Sequence, residues 1–281
     1  MNKRRITSTW IDDYEDHLME EERSAATIEK YLRDVREFTW WLDGAPVTKQ
    51  AVIAWKSELL EKGLAPATVN AKLCAVNGLL RFLKWDECRV KLLRIQRRMF
   101  REQERSLTRE EYLRLLETAR AQGRPRLELL MEAICSTGIR VSEVRYLTVE
   151  AARAGKAVVS LKGKIRTILL PQKLCRKLQK YAGKQKIASG EIFLTKDGTN
   201  LSRKQIWREM KGLCAAAGVE PSKVFPHNLR HLFATVFYRA CRDIVKLADV
   251  LGHSSIETTR IYLLATGLEH TRCLERLRLL A

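Results

Sequence analysis

The stretch HNLRHLFAT, His227 to Thr235, follows a proline and sets two histidines and an arginine within five positions. On a helix, residues three and four apart are neighbours, about 5–6 Å between Cβ atoms. His227, Arg230 and His231 therefore share one face. Such a face can bind a metal, be absorbed into packing, or grip an anion. A zinc-peptidase helix needs H-E-x-x-H, in which the glutamate activates a bound water. Here Asn228 stands in the glutamate's place, and Arg230 would repel a cation. Leu229, Leu232 and Phe233 belong to a core.

Other stretches carry groups of similar character. STGIRVSEV places Arg140 just after Gly138, where one helix ends and another begins, with Glu143 three residues on. LKGK offers Lys162 at a turn, and LADVLGHSSIETTRIY supplies His253 after Gly252 and Tyr262 nine residues later. Taken singly, these read as a surface ion pair, a solvated lysine and ordinary helix residues. In this order and spacing they resemble the tyrosine recombinases, the phage-integrase family of site-specific DNA recombinases. The family's signature is an arginine in TG-[LI]-R-x-x-E, a lysine on a β-hairpin, H-x-x-R, a histidine in LGH, and a tyrosine in TT-x-x-Y. This chain carries each element as Arg140, Lys162, His227 with Arg230, His253 and Tyr262. The resemblance runs from about Leu107 to the end of the chain, and less specifically over the N-terminal helices.

The resemblance implies attack on a DNA phosphodiester, which gathers negative charge on the non-bridging oxygens. Two guanidiniums, Arg140 and Arg230, would clamp that charge with charge-assisted hydrogen bonds, with His253 as a further donor. Tyr262 would be the nucleophile, and its ordinary pKa of about 10 calls for a cationic pocket and a proton acceptor, which the resemblance assigns to His227. Lys162 would protonate the departing 5′-hydroxyl. Glu143 matches an acidic residue that orients a neighbouring side chain. His231 is expected to give a supporting hydrogen bond rather than a chemical step. A covalent phosphotyrosine keeps the bond energy, so no ATP, metal or other cofactor is implied. The partners implied are double-stranded DNA sites and a homotetramer on two of them, monomeric without DNA, because exchange between two duplexes takes four cleavages.

These groups need elements to position them. SAATIEKYLRDVREFTWWL sets Ile28, Leu32, Val35, Phe38 and Leu42 on one helical stripe. TKQAVIAWKSELLEKG opens on Thr48 as a cap and stops at Gly63. PATVNAKLCAVNGLLRFLKW predicts a helix from Thr68 with a stripe of Val69, Leu73, Val76, Leu80 and Leu83. With the opening segment around Trp10, Tyr14 and Leu18, these make a small helical domain, residues 1–93. Residues 94–106, charged and weakly patterned, read as a linker, and 107–281 as the catalytic domain. There, Thr108 and Glu111 have capping-box spacing, and a stripe of Tyr112, Leu115, Leu116 and Ala119 runs on to Gly123 and Pro125. Ala157–Leu161 and Ile165–Leu170 are β-rich runs around Lys162-Gly163-Lys164, a predicted hairpin. The expected fold is mainly α with one small antiparallel sheet (α+β): a SAM-like core-binding domain followed by a DNA breaking-rejoining domain.

Composition agrees with this. The chain has 281 residues, 46% hydrophobic and a net charge of +19. Residues 1–100 carry 18 Lys and Arg against 15 Asp and Glu, and residues 101–281 carry 34 against 18. The excess attracts a polyanion and is opposed by salt, and most of the phosphate affinity is expected in the second domain. Seven cysteines, scattered singly without a CxxC pair, indicate neither a disulfide framework nor a zinc ribbon. No secretory signal and no apolar run near the ~20 residues of a membrane span is seen; a cytoplasmic, nucleoid-associated protein is expected.

Two other readings use part of the same sequence. IVKLADVLGHSSIETTRIYL resembles a helix-turn-helix, with Ala248 and Gly252 at the usual spacing; on that reading the chain binds DNA without chemistry. A type IB topoisomerase would share the mechanism but act without paired sites. The length resembles the compact Xer-like members, although LLATG after Tyr262 lacks the polar Y-x-H pattern common among them. LERLRLL, Leu274 to Leu280, is a helix candidate that in the family often docks on a neighbouring subunit.

Overall fold

The first hundred residues owe their helices to apolar stripes of period 3.6 that need covering. The structure, a computed structural model, describes residues 4–95, 106–161, 164–253, 255–260 and 262. Among the described residues of the first unit the α-helices are α1 (Ser8–Glu20), α2 (Ala25–Leu42), α3 (Lys49–Glu61) and α4 (Pro66–Phe82). The α2 stripe Ile28, Leu32, Val35, Phe38 and Leu42 is buried, and it packs against α1 and α4. Thr48 caps α3 by accepting from the Ala51 N–H at 3.1 Å, one of the donors a helix start leaves unpaired. The predicted start of α4 at Thr68 is two residues late. The helix begins at Pro66, where a residue without an N–H costs nothing.

The chain divides into two compact units, Met1–Arg97 and Arg98–Ala281. Residues 96–105, most of the expected linker, lie outside the described residues. The second unit starts with α5 (Arg109–Ala121), whose capping box is complete: Thr108 Oγ1 accepts from the Glu111 N–H, and the Glu111 carboxylate accepts from the Thr108 N–H at 2.8 Å. α6 (Pro125–Thr137) buries Leu127, Leu129, Leu130, Met131, Ala133 and Ile134. A helix apolar on most sides belongs inside, and α6 meets α5, α8 (Gln172–Lys184), α9 (Arg203–Lys211) and α11 (Pro226–Cys241). Between them lie α7 (Val149–Ala154) and α10 (Cys214–Ala217), and after them α12 (Ile244–Leu251) and α13 (Ile256–Arg260).

The hairpin is β1 (Lys156–Leu161) and β2 (Lys164–Leu169), antiparallel, with Leu161 opposite Lys164. β1 starts one residue earlier than expected and ends at Leu161 as expected, and β2 is shifted one residue earlier at both ends. Ala157, Val159 and Ile168 face the core, which a two-stranded sheet needs to be stable. The stretch between α8 and α9 is not helical. It contains an Asp197-Gly198 turn with Gly198 at φ +73° and a bridge between Leu194 and Asn200. Among the described residues the fold is mainly helical with one small antiparallel sheet, and no helix is long and apolar enough to cross a membrane.

Candidate active site

The end of α6 places the first arginine. Gly138 closes that helix at φ +65°, a conformation that costs a side-chain-bearing residue ~1–2 kcal/mol. A Cβ there would also sit 2.7 Å from Phe233 Cε1 and 2.9 Å from Leu251 Cδ2. The glycine therefore lets α6 end directly against α11 and α12. Ile139 is then buried, and Arg140 opens a 3-10 turn, Val141–Tyr146. In such a turn residues three apart eclipse one another, so Arg140 and Glu143 face each other. The Arg140 N–H donates to Glu143 Oε2 and Arg140 Nη1 to Glu143 Oε1, both at 2.9 Å, and Arg140 Nη2 donates to the Gly252 carbonyl at 3.1 Å. The Glu143 side chain is 3% exposed while that of Arg140 is 38% exposed, so an incoming anion can reach the guanidinium. Burial acts to raise the Glu143 pKa, but the Arg140 N–H and the charges of Arg166 and Arg140 hold the carboxyl below its ordinary range.

Arg230 comes from the first turns of α11, which starts at Pro226. Its Nη1 donates to the Gly138 carbonyl and its Nη2 to the Leu251 carbonyl at 2.7 Å. Nη2 also lies 3.0 Å from His253 Nε2. Burial and Arg140 push Arg230 down to about 10, which leaves it charged at neutral pH. Burial, then Arg230, Arg140 and Arg166, pull His253 down to about 4, which leaves its ring neutral. A guanidinium has only donors, so His253 Nε2 accepts from Arg230. The ring proton is then assigned to Nδ1, which donates to Thr259 Oγ1 at 2.9 Å.

Tyr262 is 5% exposed and sits among three imidazoles. Its ring centroid is 4.8 Å from His231, edge-on, 5.8 Å from His253, nearly parallel, and 6.2 Å from His227. Arg140, Glu143, Arg230, His253 and Tyr262 thus meet, and exposed His227 borders them. Lys162 lies outside the described residues; its neighbours Leu161 and Lys164 are paired. His231 shares a hydrogen bond with Thr235 Oγ1 at 3.2 Å besides packing on Tyr262.

Arg166 escaped the sequence reading. Its Nη2 donates to Glu143 Oε2 at 2.5 Å, making it a second cation on that carboxylate. The signal was available: Arg166 pairs across the hairpin with Val159, on the same face as Ile168. A charge on the inward face of a half-buried strand needs a partner.

Residues 105–267 match the phage integrase family, and residues 11–87 match the phage integrase N-terminal SAM-like domain. The chain belongs to the phage integrase family. Tyrosine recombinase XerA of Pyrococcus furiosus is 29% identical over 100% of this chain and 98% of its own length. Tyrosine recombinase XerD of Mycobacterium leprae is 31% identical over 92% of this chain and 93% of its own. This recombinase is therefore an enzyme of site-specific DNA recombination. A lambda integrase dimer bound to a COC′ core site shares its fold with a TM-score of 0.74 at 19% identity, over 91% of this chain and 94% of that one. XerH in a post-cleavage complex with palindromic difH gives 0.71 at 21%, over 88% and 78%. The helix-turn-helix pattern falls on α12 and α13, which pack on each other. Thr259 of α13 is fully buried and bonded to His253, and Tyr262 beyond the helix is buried beside the same imidazole.

Proposed function

We propose that this recombinase cuts and rejoins double-stranded DNA at paired sites through a 3′-phosphotyrosine on Tyr262. The convergence of Arg140, Arg230 and His253 beside the Tyr262 ring carries the proposal. The scissile phosphate binds between the two guanidiniums, displacing Arg230 Nη2 from His253. Its negative charge cancels the field that keeps the ring neutral. His253 then takes up a proton, and Nε2 turns from acceptor to donor on a non-bridging oxygen.

Tyr262 Oη attacks phosphorus and its proton passes to His227. The bond from phosphorus to O5′ breaks, and the Lys162 ammonium gives the leaving oxygen its proton. Rejoining reverses these steps with the 5′-hydroxyl of another strand as nucleophile. Glu143 holds Arg140 through both its backbone and its side chain. Because Tyr262 is buried in the resting chain, the segment carrying it shifts when DNA binds. The expected domains, 1–93 and 107–281 with a linker at 94–106, both contact the duplex. Four copies on two sites complete strand exchange, monomers forming without DNA.

A nicked suicide DNA substrate, whose released 5′ end diffuses away, tests this. Wild-type chain is expected to accumulate a covalent DNA adduct and Tyr262→Phe none. An undiminished adduct with the phenylalanine variant would overturn the assignment. Relaxation of supercoiled DNA lacking paired sites would favour a topoisomerase instead.

A further inference from the structure

The C-terminus of α12 gathers three guanidiniums. A helix leaves its last carbonyls without intrahelical donors. Here the Gly252 and His253 N–H groups return to the carbonyls of Asp249 and Ala248, and the next three carbonyls take one arginine each. Val250 accepts from Arg166 Nη1 at 3.4 Å, Leu251 from Arg230 Nη2 at 2.7 Å and Gly252 from Arg140 Nη2 at 3.1 Å. The three arginines come from β2, from α11 and from the position just before the 3-10 turn. Like charges so close repel. The negative end of a helix dipole opposes that repulsion, and so does Glu143, which accepts from both Arg140 and Arg166.

The phosphate clamp accounts for two of these arginines and leaves Arg166 over. Its position is a costly one for a cation. The Nε is buried with no hydrogen-bond partner among the described residues, and an apolar side chain beside Ile168 on this strand face would avoid that cost. What Arg166 adds is a bridge. Nη2 reaches Glu143, which holds Arg140, while Nη1 reaches Val250 and the stem packs against Gly252, the residue before His253.

We propose, on the reading of Arg140 and His253 as donors to the scissile phosphate, that Arg166 is a positioning residue that locks these two donors together. Its fork ties the turn carrying Arg140 to the end of α12 that leads into His253. Arg140 touches that end directly through the Gly252 carbonyl, but a guanidinium that turns to the phosphate loosens such a contact. Arg166 does not face the phosphate and keeps the tie during cleavage.

The test compares ordinary suicide DNA with the same DNA carrying a methylphosphonate at the scissile position. A neutral methyl there replaces one charged non-bridging oxygen, so the clamp has less charge to stabilise. The bonds made and broken are the same: Tyr262 Oη joins phosphorus, and O5′ leaves with a proton. Relative to wild type on the same DNA, Arg166→Gln is expected to slow adduct formation on ordinary DNA about 100-fold, the scale of a displacement of about 1 Å. On methylphosphonate DNA it should lose a clearly smaller factor. Arg166→Lys keeps a charge beside Glu143 but has no second arm for Val250, so it should behave like the glutamine variant. It also carries the test if the glutamine variant does not fold. Wild-type cleavage of ordinary DNA by either variant, or equal loss on both substrates, would overturn the proposal. Arg140→Ala serves as the control. If methylphosphonate does not lessen its loss, the clamp reading falls and the role of Arg166 with it, an outcome told apart from a failure at Arg166 alone.

Discussion

Arg166 and Gly252 fit together only because the second has no side chain. A Cβ on Gly252 would lie 2.5 Å from Arg166 Cδ and 3.0 Å from Nε, and the residue sits at φ +62°. Gly252→Ala therefore meets two penalties. The backbone alone costs about 1–2 kcal/mol, and displacing the guanidinium adds to it. Urea unfolding should show at least the backbone loss, and DNA cleavage should fall with it.

The two clamp arginines should separate in their effects. Arg140 is partly exposed, and Glu143 keeps Arg166 when it is removed. Arg140→Ala should slow adduct formation about 10²–10³-fold, as for other lost transition-state donors, with little change in stability. Arg230 is buried and satisfies the carbonyls of Gly138 and Leu251. Arg230→Ala should lose comparable activity and also about 1–3 kcal/mol for each carbonyl left unpaired. Single-turnover cleavage and chemical denaturation measure both; equal stability of the two variants would contradict the burial argument.

Stability should depend on pH through His253. Its ring is held down to about 4 in the folded chain, whereas the unfolded chain takes up the proton near 6.5. Between those values the unfolded state binds more protons, so stability falls as pH falls through the window. The full contribution is present above about 6.5 and gone below about 4. His253→Gln should show a flatter stability profile than the wild type between pH 4 and 7. Phosphate binding should reverse the bias: DNA capture takes up a proton in wild type and not in the variant, as titration calorimetry in buffers of different ionisation enthalpy can detect.

Thr259 is fully buried and accepts from His253. Thr259→Val keeps the shape and removes the acceptor, leaving a ring N–H unpaired. A loss of about 1–3 kcal/mol is expected, together with slower cleavage as the imidazole loses its orientation. Thr259→Ser should restore cleavage. If serine behaves like valine, the hydroxyl is not the relevant group.

Much of this protein can be read one element at a time. Stripes such as Ile28, Leu32, Val35, Phe38 and Leu42 specify helices, and Thr108 with Glu111 marks where one begins, because these interactions act within one or two turns. The order of Arg140, Glu143, Lys162, His227, Arg230, His253 and Tyr262 marked the candidate site through the spacing of residue types. The sequence could not place Arg166 on Glu143, pack His231 against Tyr262, or separate buried Arg230 from accessible Arg140. Nor could it make His253 a neutral acceptor, since that state depends on three arginines drawn from α11, the turn after α6, and the hairpin. Local spacing determines which residues share a helix face or a strand. Which faces meet, and which charges lose their water, is decided when distant segments pack, and the site's protonation states follow from that desolvation.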